Sequence, residues 1–388
     1  MALDRASLVV LYCDQGMANV VELYKTTSDV PDALVLCDFG VDKFSTYRDH
    51  ATKKAVKYVV DQLDAMKAAK KPNDIACTII SHQDGDHWSM LPALVEAIGK
   101  AKLKLELGPV YCGGLEWSKA ANKAVADYAA VKDKKPAKLL EFEDDETAFA
   151  NPKKPEKPLY QFDDFKLYLL LSNLSDLGTN PTDDIVKNAT SAVILGMLGK
   201  SGFVLPGDAT ARTMNSVNKL VEAVLKAKVF EWPGIEALGV PHHGSVRTFT
   251  SDKKYSNFKF GELFAKLMNP RSVNASAGFE NQHKHPSNKV IDTFKKYTKI
   301  EWKSHRYVSY DRDAAQWTRS KATKDGIFTT NDALKTPPTT HNWSFDFKTT
   351  VVEGVETVVM TPRRFGEEVL AADRPDDIPI APAPDAPR

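Results

Sequence analysis

The fold of this chain is constrained most by three short stretches rich in histidine and aspartate. Each stretch comes directly after a run of strand-forming residues. They are residues 81–88 (SHQDGDHW) after 75–80, residues 206–209 (PGDA) after 203–205, and residues 241–245 (PHHGS) after 237–240. In layered α/β folds, loops at strand ends assemble one site from distant parts of the sequence. The chain must therefore adopt a fold that brings these three strand ends together.

The rest of the pattern supports such a fold, because strand-like and helix-like segments alternate along the chain. Short apolar runs rich in Val, Leu and Ile predict strands, and apolar residues at helical spacing predict helices. The predicted strands are 7–13, 20–24, 33–38, 75–80, 165–171, 192–198, 203–205, 237–240, 301–310 and a late pair within 343–360. The predicted helices are 46–69, 89–100, 211–227 and 286–297. This alternation indicates the α/β class.

The length of 388 residues permits two or three domains, but the three loops tie most of the chain into one. We expect a single domain over residues 1–370, with extra strands at about 331–365. Residues 117–158 carry lysine runs, an acidic run and several prolines, which predict a helix plus a mobile insertion on the surface. Residues 371–388 are rich in Pro, Ala and Asp and predict a disordered tail. The insertion and the tail are candidate attachment points for a protein partner.

Composition excludes several classes of protein. Hydrophobic residues at 43% and charged residues at 27% predict a packed core, and a net charge of +1 gives no global attraction to nucleic acid or to membranes. The chain lacks an apolar stretch long enough to cross a membrane and a leader pattern at residues 1–20, so we expect a cytoplasmic protein without membrane contact. The four cysteines, at 13, 37, 77 and 112, show no paired spacing and predict reduced, buried thiols.

The loop at 81–88 carries the clearest chemical signal. It places His82, Asp84, Asp86 and His87 within six residues, and buried charges at this density need a cation between them. We expect Gly85 to let the backbone fold so that these side chains converge. Asp208 alone fits a helix N-cap as well as a metal ligand. The adjacent pair His242 and His243 favours contact with a metal or an anion.

These motifs resemble the metallo-β-lactamase superfamily, and within it they are most similar to the hydrolase domain of the competence protein ComEC. That branch has a His-x-Asp-x-Asp-His loop, a Gly-Asp-Ala stretch, a Pro-His-His-Gly-Ser stretch and an Asn-x-x-x-His-Pro element. The matching positions here are His82 to His87, Gly207 to Ala209, Pro241 to Ser245, and Asn281 with His285 and Pro286. The chain departs from the branch at residues 14–17 and 88–90. It also lacks a histidine between the first loop and residue 241, as other members of the branch do.

The resemblance implies a four-layer αββα fold and two divalent metal ions, Zn or Mn. By this similarity His82 and Asp84 hold one ion, Asp86, His87 and His243 hold the other, and Asp208 bridges them. A hydroxide between the two ions would attack the substrate. Asp86 and His242 are the expected catalytic residues, with His242 left outside the ligand set and free to donate to a phosphate oxygen or a leaving group.

The leading functional hypothesis is a metal-dependent phosphodiesterase. Within that class, the first expectation is a nuclease acting on DNA or RNA. The alternatives are a hydrolase of a small phosphodiester, such as a cyclic nucleotide or a phosphocholine ester, and a defence or toxin module that uses the fold to bind a partner. The candidate substrate-binding residues are His285, Asn281, Trp88 and Arg247. His285 and Trp88 also fit structural roles, in a hydrogen bond and in helix packing respectively.

Overall fold

The computed structural model describes residues 3–72, 74–131, 136–177, 183–250, 256–278, 281–299, 307–319, 326–332, 339–352 and 355–369. Four sequence predictions lie partly or wholly outside these ranges: the lysine run at 132–135, most of the strand predicted at 301–310, parts of the extra strands at about 331–365, and the tail at 371–388. Among the described residues, no helix is both long and apolar enough to cross a membrane.

The strands, in chain order, are β1 (Arg5–Val10), β2 (Ala18–Tyr24), β3 (Ala33–Phe39), β4 (Asp74–Ile80), β5 (Glu106–Leu107), β6 (Val110–Cys112), β7 (Leu139–Glu141), β8 (Tyr160–Phe162), β9 (Phe165–Leu171), β10 (Val193–Leu198), β11 (Ser201–Leu205), β12 (Gly234–Gly239), β13 (Ser272–Ala275), β14 (Val308–Asp311), β15 (Gln316–Arg319), β16 (Ile327–Thr329), β17 (Asn331–Asp332), β18 (Thr339–Val352) and β19 (Val355–Val369). The helices are α1 (Arg48–Ala68), α2 (Leu91–Lys100), α3 (Lys119–Ala129), α4 (Asp183–Ala189), α5 (Ala211–Ala227), α6 (Val246–Phe249), α7 (Lys259–Met268) and α8 (Asn288–Lys295).

Two mixed sheets form the centre of the fold. The first sheet runs β17-β18-β1-β2-β3-β4-β6-β7, with β19 beside β18 and β5 beside β4. The second runs β16-β13-β12-β11-β10-β9-β8, and β14 and β15 form a separate hairpin. In the first sheet β3, β4, β6 and β7 are parallel, and in the second β11, β12, β13 and β16 are parallel. Each sheet therefore presents the carboxyl ends of several neighbouring strands at one edge.

Alternating residues along the strands bury both faces of each sheet. In β1, Val9 packs with Val59 of α1 and Leu94 of α2, whereas Leu8 packs with Ile194 of the second sheet. This alternation follows from the two-residue repeat of a strand. The other face of the second sheet packs on α5, α7 and α8 through a third cluster of buried residues. The layers are helix, sheet, sheet and helix, which confirms the four-layer αββα sandwich.

The segment at 117–158 is more integrated than a surface insertion. Helix α3 covers the first sheet, and the buried hydroxyl of Tyr128 lies 2.8 Å from Thr78 Oγ1 in β4. Strand β7 pairs in parallel with β6 at the sheet edge. Charge and proline runs flank these elements in the sequence, so the composition of the segment does not indicate their contacts with the sheet. The four cysteines are buried and unpaired, as expected.

Candidate metal centre

The three histidine and aspartate loops meet at the carboxyl edge of both sheets. They follow β4, β11 and β12, which are members of the parallel sets described above. The backbone N–H of Ala192 donates to Ser81 O at 2.8 Å, which joins the first loop to the second sheet. The backbone N–H of His242 donates to Gly207 O at 3.0 Å. These bonds fix the three loops to one another.

Gly207 is required where the second loop turns beside the first. Its φ is +51°, and a Cβ added there would lie 2.7 Å from Ser81 Oγ. The next residue, Asp208, is 2% exposed and its backbone N–H is held by Ser191 Oγ at 3.1 Å. The turn therefore directs a buried carboxylate toward the first loop.

The first loop is shaped by Gly40, which follows β3, rather than by its own Gly85. Residues Gly85–His87 form a short 3₁₀ helix with an ordinary backbone at Gly85, and a Cβ there would meet nothing within 4 Å. A Cβ on Gly40 would lie 2.4 to 2.5 Å from backbone atoms of Asp86, His87 and Trp88. The expectation that Gly85 lets this loop fold is thus wrong. The close approach occurs between two loops that are distant in sequence, so neither loop's own sequence indicates it.

Within the described residues, Asp86, His87, Asp208 and His243 bring one donor atom each to within 4.8 Å of one another. His243 Nε2 lies 3.2 Å from Asp86 Oδ2 and 3.7 Å from Asp208 Oδ1, and His87 Nε2 lies 3.3 Å from Asp208 Oδ1. Two imidazoles and two carboxylates form a donor set that suits Zn or Mn. The side chains of His87 and His243 are completely buried.

Both imidazoles of this cluster are oriented by their outer nitrogens. His87 Nδ1 lies 3.0 Å from Asp38 Oδ2 and 3.0 Å from Ser81 Oγ. His243 Nδ1 lies 2.8 Å from the carbonyl oxygen of Ser276, to which it donates. Bonds of this kind fix the tautomer of a ligating histidine and direct Nε2 to the metal.

The cluster carries unusual electrostatics. Burial favours the neutral carboxylic acid of Asp208, but His242, His87 and His243 outweigh it and hold its pKa well below the ordinary value. Burial disfavours a charged His87, yet the carboxylates of Asp38, Asp208 and Asp86 raise its pKa well above the ordinary value. Asp208 is therefore an ionised carboxylate in a buried position, where its negative charge favours binding of a cation.

Unpartnered buried atoms provide a separate test of whether a metal fits. His82 Nε2, His87 Nε2 and Asp208 Oδ1 are buried and make no well-aligned hydrogen bond among the described residues. Buried polar atoms without partners are costly. Because all three are metal-donor types and face the same place, the residues fit a bound divalent cation.

His82, Asp84 and His242 lie on the other side of Asp208. His82 Nε2 is 3.6 Å from Asp84 Oδ2 and 3.7 Å from Asp208 Oδ2. His242 Nε2 is 3.2 Å from Asp208 Oδ2. All six residues expected as metal ligands are therefore brought together, and His242 lies among them.

The pair His242 and His243 adopts a backbone that few residues tolerate. Their φ values are +46° and +52°, in the left-handed region. Each such residue costs roughly 1–2 kcal/mol and is concentrated at functional sites. The turn sends two adjacent imidazoles to opposite oxygens of the same carboxylate, Asp208.

A second group of side chains forms the rim of the site. The ring centroid of His285 lies 5.6 Å from that of His242, and its Nδ1 is buried without a hydrogen bond among the described residues. Burial, together with neighbouring histidines, lowers the pKa of His285 well below its ordinary value. Asn281 uses its amide to donate to His285 O at 2.5 Å and its oxygen to accept from His285 N at 3.1 Å. Asn281 thus positions His285, and direct contact of either residue with a substrate stays a prediction.

Trp88 and Arg247 occupy different settings. The indole N–H of Trp88 donates to Gln83 O at 2.9 Å, and its ring packs against the core under α1 and α2. This arrangement supports its packing role and braces the 81–88 loop. Arg247 lies exposed on α6, and its contact with a substrate stays a prediction.

Sequence reasoning missed Asp38, Gly40 and Ser276. Asp38 is a buried aspartate near the end of a predicted strand, the same signal that drew attention to Asp208. Ser276 contributes a backbone carbonyl, which no side-chain motif records. Only Asp38 could have been found from the sequence.

The fold and these side chains define a four-layer αββα protein with a candidate divalent-metal centre at the carboxyl edge of its sheets. No protein-family model and no curated protein sequence matches the chain. Among solved structures, the metallo-β-lactamase fold protein YhfI from Bacillus subtilis is similar at 13% identity and a TM-score of 0.40, covering 76% of this chain and 93% of its own. Zn²⁺-bound PqqB from Methylobacterium extorquens is similar at 12% identity and a TM-score of 0.31, covering 60% and 71%.

Proposed function

We propose that this chain is a hydrolase that uses two divalent ions, Zn or Mn, to cleave phosphodiesters, with DNA or RNA as the leading substrate. The observation that carries the proposal is the buried cluster of Asp86, His87, Asp208 and His243. The similarity of its loops to the hydrolase domain of ComEC supports the same reaction class. A cluster of this charge, held at the open edge of two sheets, is suited to hydrolysis at a charged centre.

The protein residues have separable roles in this proposal. Asp86, His87 and His243 would hold one ion and His82 and Asp84 the other, with Asp208 between them. When bound, the ions would activate water and neutralise phosphate charge. Asp38 keeps His87 in one orientation, and Ser276 does the same for His243. His285, neutral and partly lining the rim, is suited to donate a hydrogen bond to a nonbridging phosphate oxygen.

A groove between α7 and α8 carries more lysines than carboxylates. Helix α8 begins just after His285 and Pro286, and with α7 it borders a groove of about 690 Å³. The groove carries four lysines and two carboxylates: Lys259, Lys266, Lys289, Lys296, Glu262 and Asp292. Lys289 and Lys296 are paired with Asp313 and Glu262, so Lys259 and Lys266 supply the positive charge that could attract a nucleic-acid backbone.

The assay uses the full chain loaded with Mn²⁺ or Zn²⁺. Substrates are bis-p-nitrophenyl phosphate, single- and double-stranded DNA, RNA and a phosphocholine ester, and the inactive controls are Asp208→Ala and His243→Ala. We expect metal-dependent cleavage that both substitutions reduce by at least about 100-fold. Equal rates in the wild type and the two variants would refute the hydrolase.

The substrate range separates the nuclease from the small-ester alternative. Cleavage of nucleic acid that falls steeply as salt rises, with small esters little affected, supports the nuclease. Cleavage of small esters alone would instead support the second candidate. A partner-binding module would show no turnover, and its contacts would map to residues 117–158 or 371–388.

A further inference from the structure

We propose that His242 is a protein ligand of the second metal ion, together with His82, Asp84 and Asp208, and that this ion is the more weakly bound of the two. The inference rests on the dinuclear centre in the proposed function, but not on its substrate. It gives His242 a role different from the phosphate or leaving-group contact expected from the sequence.

The two oxygens of Asp208 divide the imidazoles into two sets. Oδ1 lies 3.3 Å from His87 Nε2 and 3.7 Å from His243 Nε2. Oδ2 lies 3.7 Å from His82 Nε2 and 3.2 Å from His242 Nε2. Each oxygen thus has two imidazole nitrogens within 3.7 Å.

The contacts between neighbouring donors of this set have the spacing of ligands around one ion. Two ligand atoms at about 2.1 Å from a tetrahedral metal lie roughly 3.4 Å apart. The contacts His242 to Asp208, Asp208 to His82 and His82 to Asp84 measure 3.2, 3.7 and 3.6 Å. These values match the donor contacts in the first set, between His243, Asp86, His87 and Asp208, which are 3.2 to 3.9 Å.

The backbone turn gives an independent reason. His242 and His243 are both left-handed, which is unfavourable for residues with a side chain. One left-handed residue would suffice to direct one ligand. Two in succession place the adjacent imidazoles on opposite sides of Asp208, as a pair of ions sharing that carboxylate requires.

Outer-nitrogen bonds distinguish the two sets in strength. His87 and His243 are each held at Nδ1, by Asp38 with Ser81 and by Ser276. The Nδ1 atoms of His82 and His242 have no hydrogen-bond partner among the described residues. Outer-shell bonds contribute about 10–100-fold in metal affinity. Asp84 also has a 43% exposed side chain, so fewer protein contacts hold the set containing His242 in place.

The test is equilibrium dialysis of the metal-free full chain against Mn²⁺, with electron paramagnetic resonance to detect a coupled pair of ions. The wild type should bind two ions with affinities at least about 10-fold apart and show the coupled signal. His242→Ala should keep the tighter ion, weaken the other by at least about 10-fold and lose the coupled signal. His283→Ala, an exposed histidine of the rim outside both sets, should match the wild type.

Each departure from this result is informative. Two unchanged affinities in His242→Ala would overturn the ligand assignment alone and favour a substrate contact for His242. Loss of the tighter ion would overturn the division into two sets. Failure of the wild type to bind two ions would overturn both this inference and the proposed dinuclear function. If His242→Ala is poorly folded, His242→Gln is measured instead. In crystals of the wild type grown with Zn²⁺, an anomalous peak about 2.0–2.1 Å from His242 Nε2 would confirm the ligand, and its absence there would refute it.

Discussion

Replacing Gly40 with alanine tests whether a contact outside the histidine motif shapes the metal centre. The new Cβ would lie 2.4 Å from Asp86 C and 2.5 Å from the backbone nitrogens of His87 and Trp88. An ordinary van der Waals contact needs about 3.4 Å, so one of the two loops must move by about 1 Å. The neighbours are backbone atoms, which cannot rotate away as a flexible side chain could.

A displacement of about 1 Å is large for a metal centre. Metal–ligand distances are held to about 0.2 Å, and an error of 1 Å at a reacting group costs on the order of 100-fold in rate. We therefore expect Gly40→Ala to lower affinity for the tighter ion by at least about 10-fold and hydrolysis by about 100-fold. Overpacking should also destabilise the fold by about 1–3 kcal/mol.

Gly85→Ala is the matched control, because the same substitution is made inside the loop itself. Its Cβ would enter open space and its backbone is compatible with alanine, so stability should stay equal or rise by about 0.4–1 kcal/mol. Metal affinity is measured by competition with a chelator and stability by urea unfolding. The reasoning is refuted if Gly40→Ala binds metal like the wild type, or if Gly85→Ala is impaired to the same degree.

Four further substitutions probe other parts of the structure. Asp38→Asn should lower metal affinity by about 10–100-fold, because His87 loses the charged partner that orients its ring while all the metal ligands remain. Competition with a chelator measures the affinity. An unchanged affinity would contradict the role of Asp38 in orienting His87. Asp208→Asn should abolish binding of both ions, as measured by metal analysis after gel filtration. Phe203→Ala should cost about 3–5 kcal/mol in urea unfolding, because Phe203 is buried between the sheets. Burial raises the pKa of Glu22, so its contribution to stability is present at low pH and is lost as pH rises through the folded pKa. Glu22→Gln should therefore reduce the decline of the urea midpoint as the pH rises above 4.5, the ordinary pKa of a glutamate, and an identical decline in both proteins would contradict this.

The sequence predicts the layers and the ligand loops well because both depend on local patterns. Runs such as 33–38 and 165–171 are apolar on both faces, as strands buried between two layers must be. The 81–88 and 241–245 loops concentrate histidine and aspartate at a density typical of cation or anion binding. Their positions after strands are enough to predict that they meet.

The parts that sequence reasoning missed depend on contacts between distant backbones. Gly40 matters because of what lies opposite it, and a glycine in a loop does not reveal its neighbour. The segment at 117–158 was judged by its charges, whereas Tyr128 and the short strand β7 are fixed by the first sheet. The sequence places His242 beside His243, but the turn geometry decides which oxygen of Asp208 it faces.

In the proposed dinuclear centre, the turn at His242 and His243 would compensate for the lack of a histidine between residues 88 and 241. The first loop supplies only one imidazole, His82, toward Asp208 Oδ2, and its next ligand position is an aspartate. A second nitrogen donor on that side must come from elsewhere in the fold. Under our proposal the left-handed pair supplies it from the residue beside His243, so one turn would serve both ions. His242→Ala should therefore weaken binding of the second ion and leave the affinity for the tighter ion unchanged. His243→Ala should instead weaken binding of the tighter ion. Equal losses of affinity in the two variants would show that the imidazoles do not divide between the oxygens of Asp208.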